Sequence, residues 1–407
     1  MSAEDNAIVI VGAGQAGTQA AASLRDFGFV GRIVLVGEEP DLPYQRPPLS
    51  KAYLKGEATQ FPLRAERFFA EKNIELLGGE RAEAILRKEH RVRFSSGREE
   101  PYGHLILALG GVNRRFPGNA DGILMLRTHA DADRIRSRIN TGKKVVIIGA
   151  GFVGLEMAAS IRSLGLDVTV VDIAPRPLAR AASVATSEFF RSLHEANDVP
   201  VYCGIESVGY RPLPDGKFEV RFGDRAIVAD LVLAGIGIEP NTSLASDAGL
   251  ETRNGVIVDQ YLSTADPMIS AIGDCAAFYS ESRGEHIRIE SVQNAIDQAK
   301  TVAARIIGKK APYHAVPWFW SDQYQVKLQI AGLTAGHDDV AVVGDIAAQK
   351  FSVFCFKDGR CVAVESINAP ADHMAARKLL ASHAVLKKED LTENFSLKDF
   401  LANFSQN

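Results

Sequence analysis

Cysteine is scarce in this 407-residue chain: Cys203, Cys275, Cys355 and Cys361 are the four, and no two form a CxxC pair. That spacing signals neither a zinc site nor a thioredoxin-type dithiol, and iron–sulfur motifs gather most of their ligands much closer together. No metal site is expected, and the thiols read as small buried hydrophobes in a reducing compartment. Long apolar runs are also missing, with none approaching the roughly 20 residues of a membrane span. The polar, acidic start over residues 1–6 lacks the basic end and cleavage site of a signal peptide, so a cytoplasmic protein is expected. An excess of one charge is absent too: 46 Lys and Arg against 50 Asp and Glu leave a formal net charge of -4. That balance points to neither nucleic acid nor an anionic membrane surface.

Glycine is what the chain does have, in two equivalent patterns. Ile8–Val11 reads as a strand, followed at once by Gly12-Ala13-Gly14-Gln15-Ala16-Gly17. Ala20–Arg25 then reads as a helix, and Arg32–Val36 as a second strand with Glu38 just beyond it. This is βαβ order with an acid about twenty residues past the glycines. Gly12 permits the tight turn, Gly14 lets backbone approach a pyrophosphate, and Gly17 lets the helix pack closely on the strand. The helix start offers unpaired N–H groups to the phosphates, and Glu38 can accept from ribose hydroxyls. The pattern recurs as the strand Lys143–Ile148, the loop Gly149-Ala150-Gly151-Phe152-Val153-Gly154, the helix Leu155–Leu164 and the strand Asp167–Val171, ending at Asp172. One such fingerprint is weak evidence. Two, each with its strand, helix and acid, imply two dinucleotides, and FAD together with NAD(P) would let a hydride pass from nicotinamide to flavin.

The second fingerprint lies inside the first domain. An FAD-binding domain is expected over 1–112 and 242–317, with an NAD-binding domain inserted at 113–241. The apolar strand Ile269–Ile272 ends in Gly273-Asp274, a return to the first domain where the acid can reach the flavin's ribityl or phosphate region. From Trp318 the character changes. Gln325–Leu333, Ala341–Val343, Phe351–Phe356 and Cys361–Ser366 read as strands and Ala371–Ser382 as a helix, giving a C-terminal α+β domain over 318–407.

These residues placed, the sequence resembles the FAD-dependent ferredoxin reductases of bacterial oxygenase systems over nearly its whole length. The specific segments are Arg46-Pro47-Pro48-Leu49-Ser50-Lys51 and Pro317-Trp318-Phe319-Trp320-Ser321-Asp322-Gln323. Leu105–Gly110, Gly235–Asn241 and Arg288–Val292 also match. The resemblance implies an α/β fold of the glutathione reductase type, with two Rossmann-like domains and a C-terminal α+β domain. It implies a non-covalent FAD held by Gly12, Gly14, Gly17, Glu38, Arg46, Lys51, Arg127, Asp274, Val292 and Trp320. The nicotinamide coenzyme would be held by Gly149, Gly151, Gly154, Asp172 and Gly237. Lys51 would pair with Glu156 near the flavin N5, where a cation suits an anionic reduced ring. Phe152 would gate the nicotinamide, and Trp318 and Trp320 would pack where the domains meet near the flavin edge. Leu109 stands where relatives carry Thr, which removes one polar contact.

Asp172 favours NADH, because a carboxylate accepts from both ribose hydroxyls and repels the phosphate of NADPH; Arg176 and Arg180, just downstream, pull the other way. The region 42–54, which carries the redox cysteines in disulfide reductases, has none. A flavin without a thiol relay suits a one-electron acceptor, by resemblance a [2Fe–2S] ferredoxin feeding a cytochrome P450 or a Rieske-type oxygenase. An acidic ferredoxin calls for a basic face, with candidates Arg64, Arg67, Arg288, Arg305, Lys309, Lys310 and Lys327. The alternatives are a reductase of a small molecule or quinone, and a redox-sensing protein resembling apoptosis-inducing factor. No histidine is assigned a role, and a monomer or weak homodimer is expected.

Overall fold

The computed structural model describes residues 7–116, 122–281, 283–392 and 395–404. The chain divides into two units. The first takes the described chain up to Gln45 together with Gln60–Val112 and Ile238–Ala315. The second takes Arg46–Thr59, Asn113–Gly237 and the chain from Val316 onward.

A five-stranded parallel sheet organises the first unit, in the order Ile269–Ala271, His104–Leu107, Ile8–Val11, Ile33–Gly37, Ile74–Gly78. Ile8–Val11 is central, with Ile10 in register with Leu35 on one side and Ile106 on the other. Its residues are buried throughout, which explains why the run is apolar without alternation. Helices Gln15–Asp26 and Val292–Ile306 pack against each other. The first starts five residues before the expected Ala20, because Gly17 lies inside its opening turn. Propensity argues against glycine there, and the need for close helix–strand approach overrides it.

The second unit repeats the plan. Its parallel sheet runs Val201–Tyr202, Asp167–Val171, Lys144–Ile148, Leu231–Ala234, Leu124–Met125. The helix after the second glycine loop, Phe152–Ser163, likewise begins ahead of the expected Leu155. A three-stranded antiparallel sheet, Val208–Pro212, Phe218–Phe222 and Arg225–Ala229, is an addition the sequence reading did not contain.

The C-terminal part of this unit is a five-stranded antiparallel sheet in the order Trp318–Gln323, Val326–Gly332, Arg360–Ile367, Lys350–Lys357, Asp339–Asp345, with helix Pro370–Ala381 packed on it. The tryptophan segment, to which the sequence assigns no strand, forms one of the sheet's two edges. Val326, Leu328, Phe351 and Val353 share one hydrophobic core with Ile147, Leu155 and Val170 of the parallel sheet. Leu54 belongs to that core, so the Arg46–Thr59 excursion packs with the second unit. The architecture is therefore mixed α/β, with two Rossmann-like parallel cores and an antiparallel C-terminal sheet. No helix of the described residues is long and apolar enough to cross a membrane.

Candidate dinucleotide sites

In the first unit the glycine loop is shaped by contacts no larger residue could make. Gly12 has φ +110°, and a side chain on it would collide with the Ala108 carbonyl. One on Gly17 would strike the Gly12 carbonyl oxygen, whereas at Gly14 nothing lies within 4 Å. Two glycines thus close the turn and the middle one leaves it open, the shape a pyrophosphate needs. Glu38 is exposed one residue past the strand Ile33–Gly37. Neighbouring Glu39 accepts from the Tyr44 hydroxyl at 2.5 Å.

Asp274 lies in the single turn Gly273–Cys275, with its backbone carbonyl accepting from Arg288 at 3.1 Å. Beside it, Gln298 is fully buried: its Oε1 accepts from the Gly273 N–H at 2.7 Å, while its Nε2 has no partner. A buried amide left with an open donor next to Gly273-Asp274 fits a bound polar group. Val292 opens helix Val292–Ile306 behind the Ser291 cap. The first unit therefore fits a dinucleotide such as FAD.

The second unit carries the matching loop. Gly149 has φ +111° and a side chain there would meet the Gly235 carbonyl; one on Gly154 would strike the Gly149 carbonyl, while Gly151 is open. Asp172 ends its strand with both oxygens engaged, Oδ2 accepting from the Ala150 N–H at 2.6 Å and Oδ1 from the Ala174 N–H at 2.8 Å. The Arg176 guanidinium donates to the Ala182 carbonyl at 2.9 Å and to the Ser187 hydroxyl, so it braces the turn before helix Val184–Glu195. Gly237, at φ +93°, is flanked by Arg180 and Arg114.

The same unit brings together Lys51 and Glu156. Lys51 Nζ stands 2.7 Å from Glu156 Oε2. Ser50 Oγ donates to that oxygen at 2.6 Å, and Ser321 Oγ donates to Oε1 at 2.7 Å. Glu156 is 5% exposed, on the helix that opens the second fingerprint. Two hydroxyl donors and a cation compensate its burial. The 3-10 turn Pro47–Ser50 presents Ser50 and Lys51, anchored where Ser160 Oγ donates to the Ser50 carbonyl at 2.7 Å. Arg46 caps the turn and donates to the Arg127 carbonyl at 2.5 Å. Phe152 meets Phe319 at 4.4 Å between ring centres, and Trp318 lies 5.6 Å from Trp320.

The sequence alone does not mark Ser50, Ser321, Gln323 and His194 as parts of this network, which continues from Ser321 Oγ to Gln323 Nε2 at 3.2 Å and from Gln323 Oε1 to His194 Nε2 at 2.8 Å. Three of the four lie in the two segments that carried the resemblance; nothing in the pattern marked His194. The basic candidates separate. The Arg288 side chain is 6% exposed and paired with Glu290 at 2.7 Å, and Arg305 donates to Ser270 Oγ at 2.5 Å, which makes both structural. Arg67 and Lys309 are exposed. Lys310 lies over the Tyr261 ring, Arg64 over Phe68, and Lys327 stands 3.8 Å from Asp322. Among the described residues, no three His, Cys, Asp or Glu side chains gather as a metal site, and all four cysteines are free.

Known proteins match nearly the whole chain. Residues 6–299 match the pyridine nucleotide-disulphide oxidoreductase family, and residues 318–401 match the reductase C-terminal family. Rhodocoxin reductase of Rhodococcus erythropolis is 46% identical over 399 residues, covering 96% of this chain and 93% of that protein. The solved ferredoxin reductase for the CYP199A2 system from Rhodopseudomonas palustris superposes with TM-score 0.93 at 44% identity, covering 97% of this chain and 99% of that one. The reductase of a covalent putidaredoxin reductase–putidaredoxin complex gives TM-score 0.94 at 39% identity, over 98% and 99%.

Proposed function

This chain belongs to the pyridine nucleotide-disulphide oxidoreductase family, and from that premise we propose that it is an NADH-dependent ferredoxin reductase with a tightly held FAD. The observation that carries the reading is the pair of glycine cradles, in a chain similar from end to end to reductases of one-electron protein carriers. When bound, FAD would take a hydride from NADH and supply electrons singly to a [2Fe–2S] ferredoxin of a P450 or Rieske-type oxygenase.

The chain's own residues bind, orient and neutralise. The Gly12, Gly14 and Gly17 loop, Glu38, Asp274 and Val292 are proposed to hold the flavin dinucleotide, and Arg46, Arg127 and Trp320 are proposed as further flavin-binding residues. The Gly149, Gly151 and Gly154 loop and Gly237 would hold the coenzyme, and Asp172 would accept from its ribose. Lys51, fixed by Glu156, is the cation matched to the negative charge that a hydride delivers. Phe152 would yield its place to the nicotinamide. On these assignments residues 1–112 and 242–317 form the FAD domain, 113–241 the NAD domain and 318–407 the C-terminal domain.

Four free cysteines, none within 42–54, support electron release without a thiol relay and a reducing, cytoplasmic setting. Arg67, Lys309, Lys310 and Lys327 are the exposed candidates for a basic docking face, and Arg64 is half-buried. A monomer or weak homodimer completes the proposal. Steady-state NADH oxidation with a [2Fe–2S] ferredoxin, a benzoquinone or no acceptor tests it. Turnover fastest with ferredoxin supports the reading, whereas faster turnover with quinone would make the chain a small-molecule reductase. A reduced state that neither acceptor discharges would favour a redox sensor.

A further inference from the structure

Beyond Ser321 the polar contacts of Glu156 continue as an unbroken chain. Ser321 Oγ donates to Glu156 Oε1 at 2.7 Å, Gln323 Nε2 donates to Ser321 Oγ at 3.2 Å, and Gln323 Oε1 meets His194 Nε2 at 2.8 Å. His194 Nδ1 in turn faces the Tyr324 hydroxyl at 3.4 Å. Ser321, Gln323 and His194 are each at most 1% exposed. His194 comes from the last turn of helix Val184–Glu195, and the other residues lie along and just past the strand Trp318–Gln323.

The direction of this chain follows from chemistry. A carboxylate beside an ammonium has no proton to give, so Ser321 must donate to Glu156 and its lone pair must accept from elsewhere. The amide of Gln323 supplies that donor, which turns its oxygen towards His194. The imidazole then carries its proton on Nε2, and Nδ1 is left to accept from Tyr324. Burial keeps His194 neutral, its pKa pulled down to about 4 by desolvation, with the Gln323 bond opposing the shift. Tyr324 holds a left-handed φ of +54° in the turn joining Gln323 to Val326, a conformation uncommon for a bulky residue.

We propose that Gln323 and His194 are positioning residues for hydride transfer: they orient Ser321 as a donor to Glu156, and through Glu156 they hold the Lys51 ammonium in one place. The inference rests on the role given above to Lys51. An amide in the chain makes it directional, because reversing the chain would require the Gln323 side chain to turn over within a buried strand.

The test uses the flavin-loaded protein. Anaerobic rapid mixing with NADH should show the limiting rate of flavin reduction falling roughly tenfold in Gln323→Met and in Ser321→Ala, the loss of one charge-directed hydrogen bond. Half-saturation by NADH should stay within about twofold. Gln323→Glu keeps volume and polarity yet offers only acceptors to Ser321, so it should be no faster than Gln323→Met. A packing role would instead make Gln323→Glu the milder change. Independently, 15N NMR of histidine-labelled wild type, assigned with His194→Gln, should show His194 protonated on Nε2. An Nδ1–H tautomer overturns the proposal even where a variant fails to hold flavin. Wild-type flavin bleached by NADH with variants at the wild-type rate overturns this inference alone. Wild-type flavin that NADH does not bleach overturns the proposed function and this inference with it.

Discussion

Asp172 Oδ2 accepts a hydrogen bond from the Ala150 backbone N–H at 2.6 Å, so the acid at the strand end is tied to the second residue of the glycine loop. On the proposed assignment, a carboxylate fixed at this point would meet an adenosine ribose in one geometry and stand against a 2′-phosphate. NADH should therefore exceed NADPH in kcat/KM by roughly a hundredfold, since like-charge juxtaposition costs several kcal/mol. Arg176 is bound to the Ala182 carbonyl and the Ser187 hydroxyl, away from that duty. Arg176→Ala should lower the melting temperature and leave the coenzyme ratio within about threefold. A tenfold or larger move towards NADH in that variant would show that Arg176 does hold the phosphate.

Removing Glu156 strands Lys51, Ser50 and Ser321 around an empty place. Glu156→Ala should lose about 3–5 kcal/mol of stability in denaturant unfolding, as for one partner deleted from a buried ion pair. Glu156→Gln, which keeps shape and one acceptor, should lose less. Both should slow flavin reduction by NADH. Equal stability of wild type and Glu156→Ala would mean that the pair is exposed and weak in solution.

How far the fold could be read from the sequence follows from how local each signal was. Both fingerprints were readable because their glycines, strand and acid sit within one βαβ stretch and each has a separate steric or hydrogen-bonding duty. The helix starts were placed late, since Gly17 and Gly154 look like breakers until the carbonyls of Gly12 and Gly149 are seen beside them. Strand Trp318–Gln323 was missed because a run of large aromatics does not alternate like an ordinary edge strand. His194 was invisible as a site residue. Its partner Gln323 is 129 positions away, and no local pattern encodes that contact. Arg288 misled in the opposite direction, because sequence cannot distinguish a docking guanidinium from one buried against Glu290.

The two loops should be separable by single substitutions. Gly17→Ala, which drives a methyl into the Gly12 carbonyl, should yield protein that loses its flavin on gel filtration. Gly154→Ala, with the equivalent collision at Gly149, should keep the flavin spectrum and raise the KM for NADH by roughly tenfold or more. Flavin loss from Gly154→Ala but not from Gly17→Ala would exchange the two assignments.

His373 is buried against Trp318, 5.2 Å between ring centres, and neither ring nitrogen has a hydrogen-bond partner. Desolvation, then the Arg377 charge, pulls its pKa down from 6.5 to about 4. A lowered histidine pKa means that the native state holds fewer protons than the unfolded chain. The neutral ring's contribution is present above pH 6.5 and lost as pH falls towards 4. Melting temperature should therefore fall across that window. His373→Phe removes two unsatisfied atoms at similar volume, so it should gain about 1–3 kcal/mol at neutral pH and flatten the acid limb. A destabilised His373→Phe would mean that the nitrogens are satisfied by ordered water.

The most direct test of electron flow is an anaerobic titration followed across the visible spectrum. One equivalent of NADH should bleach the flavin bands of the purified protein. Added [2Fe–2S] ferredoxin should then restore them, with two ferredoxins reduced per NADH, because a hydride carries two electrons and the acceptor takes one. Flavin that bleaches and stays bleached against ferredoxin would contradict the account, leaving two nucleotide sites without the one-electron acceptor assigned to them.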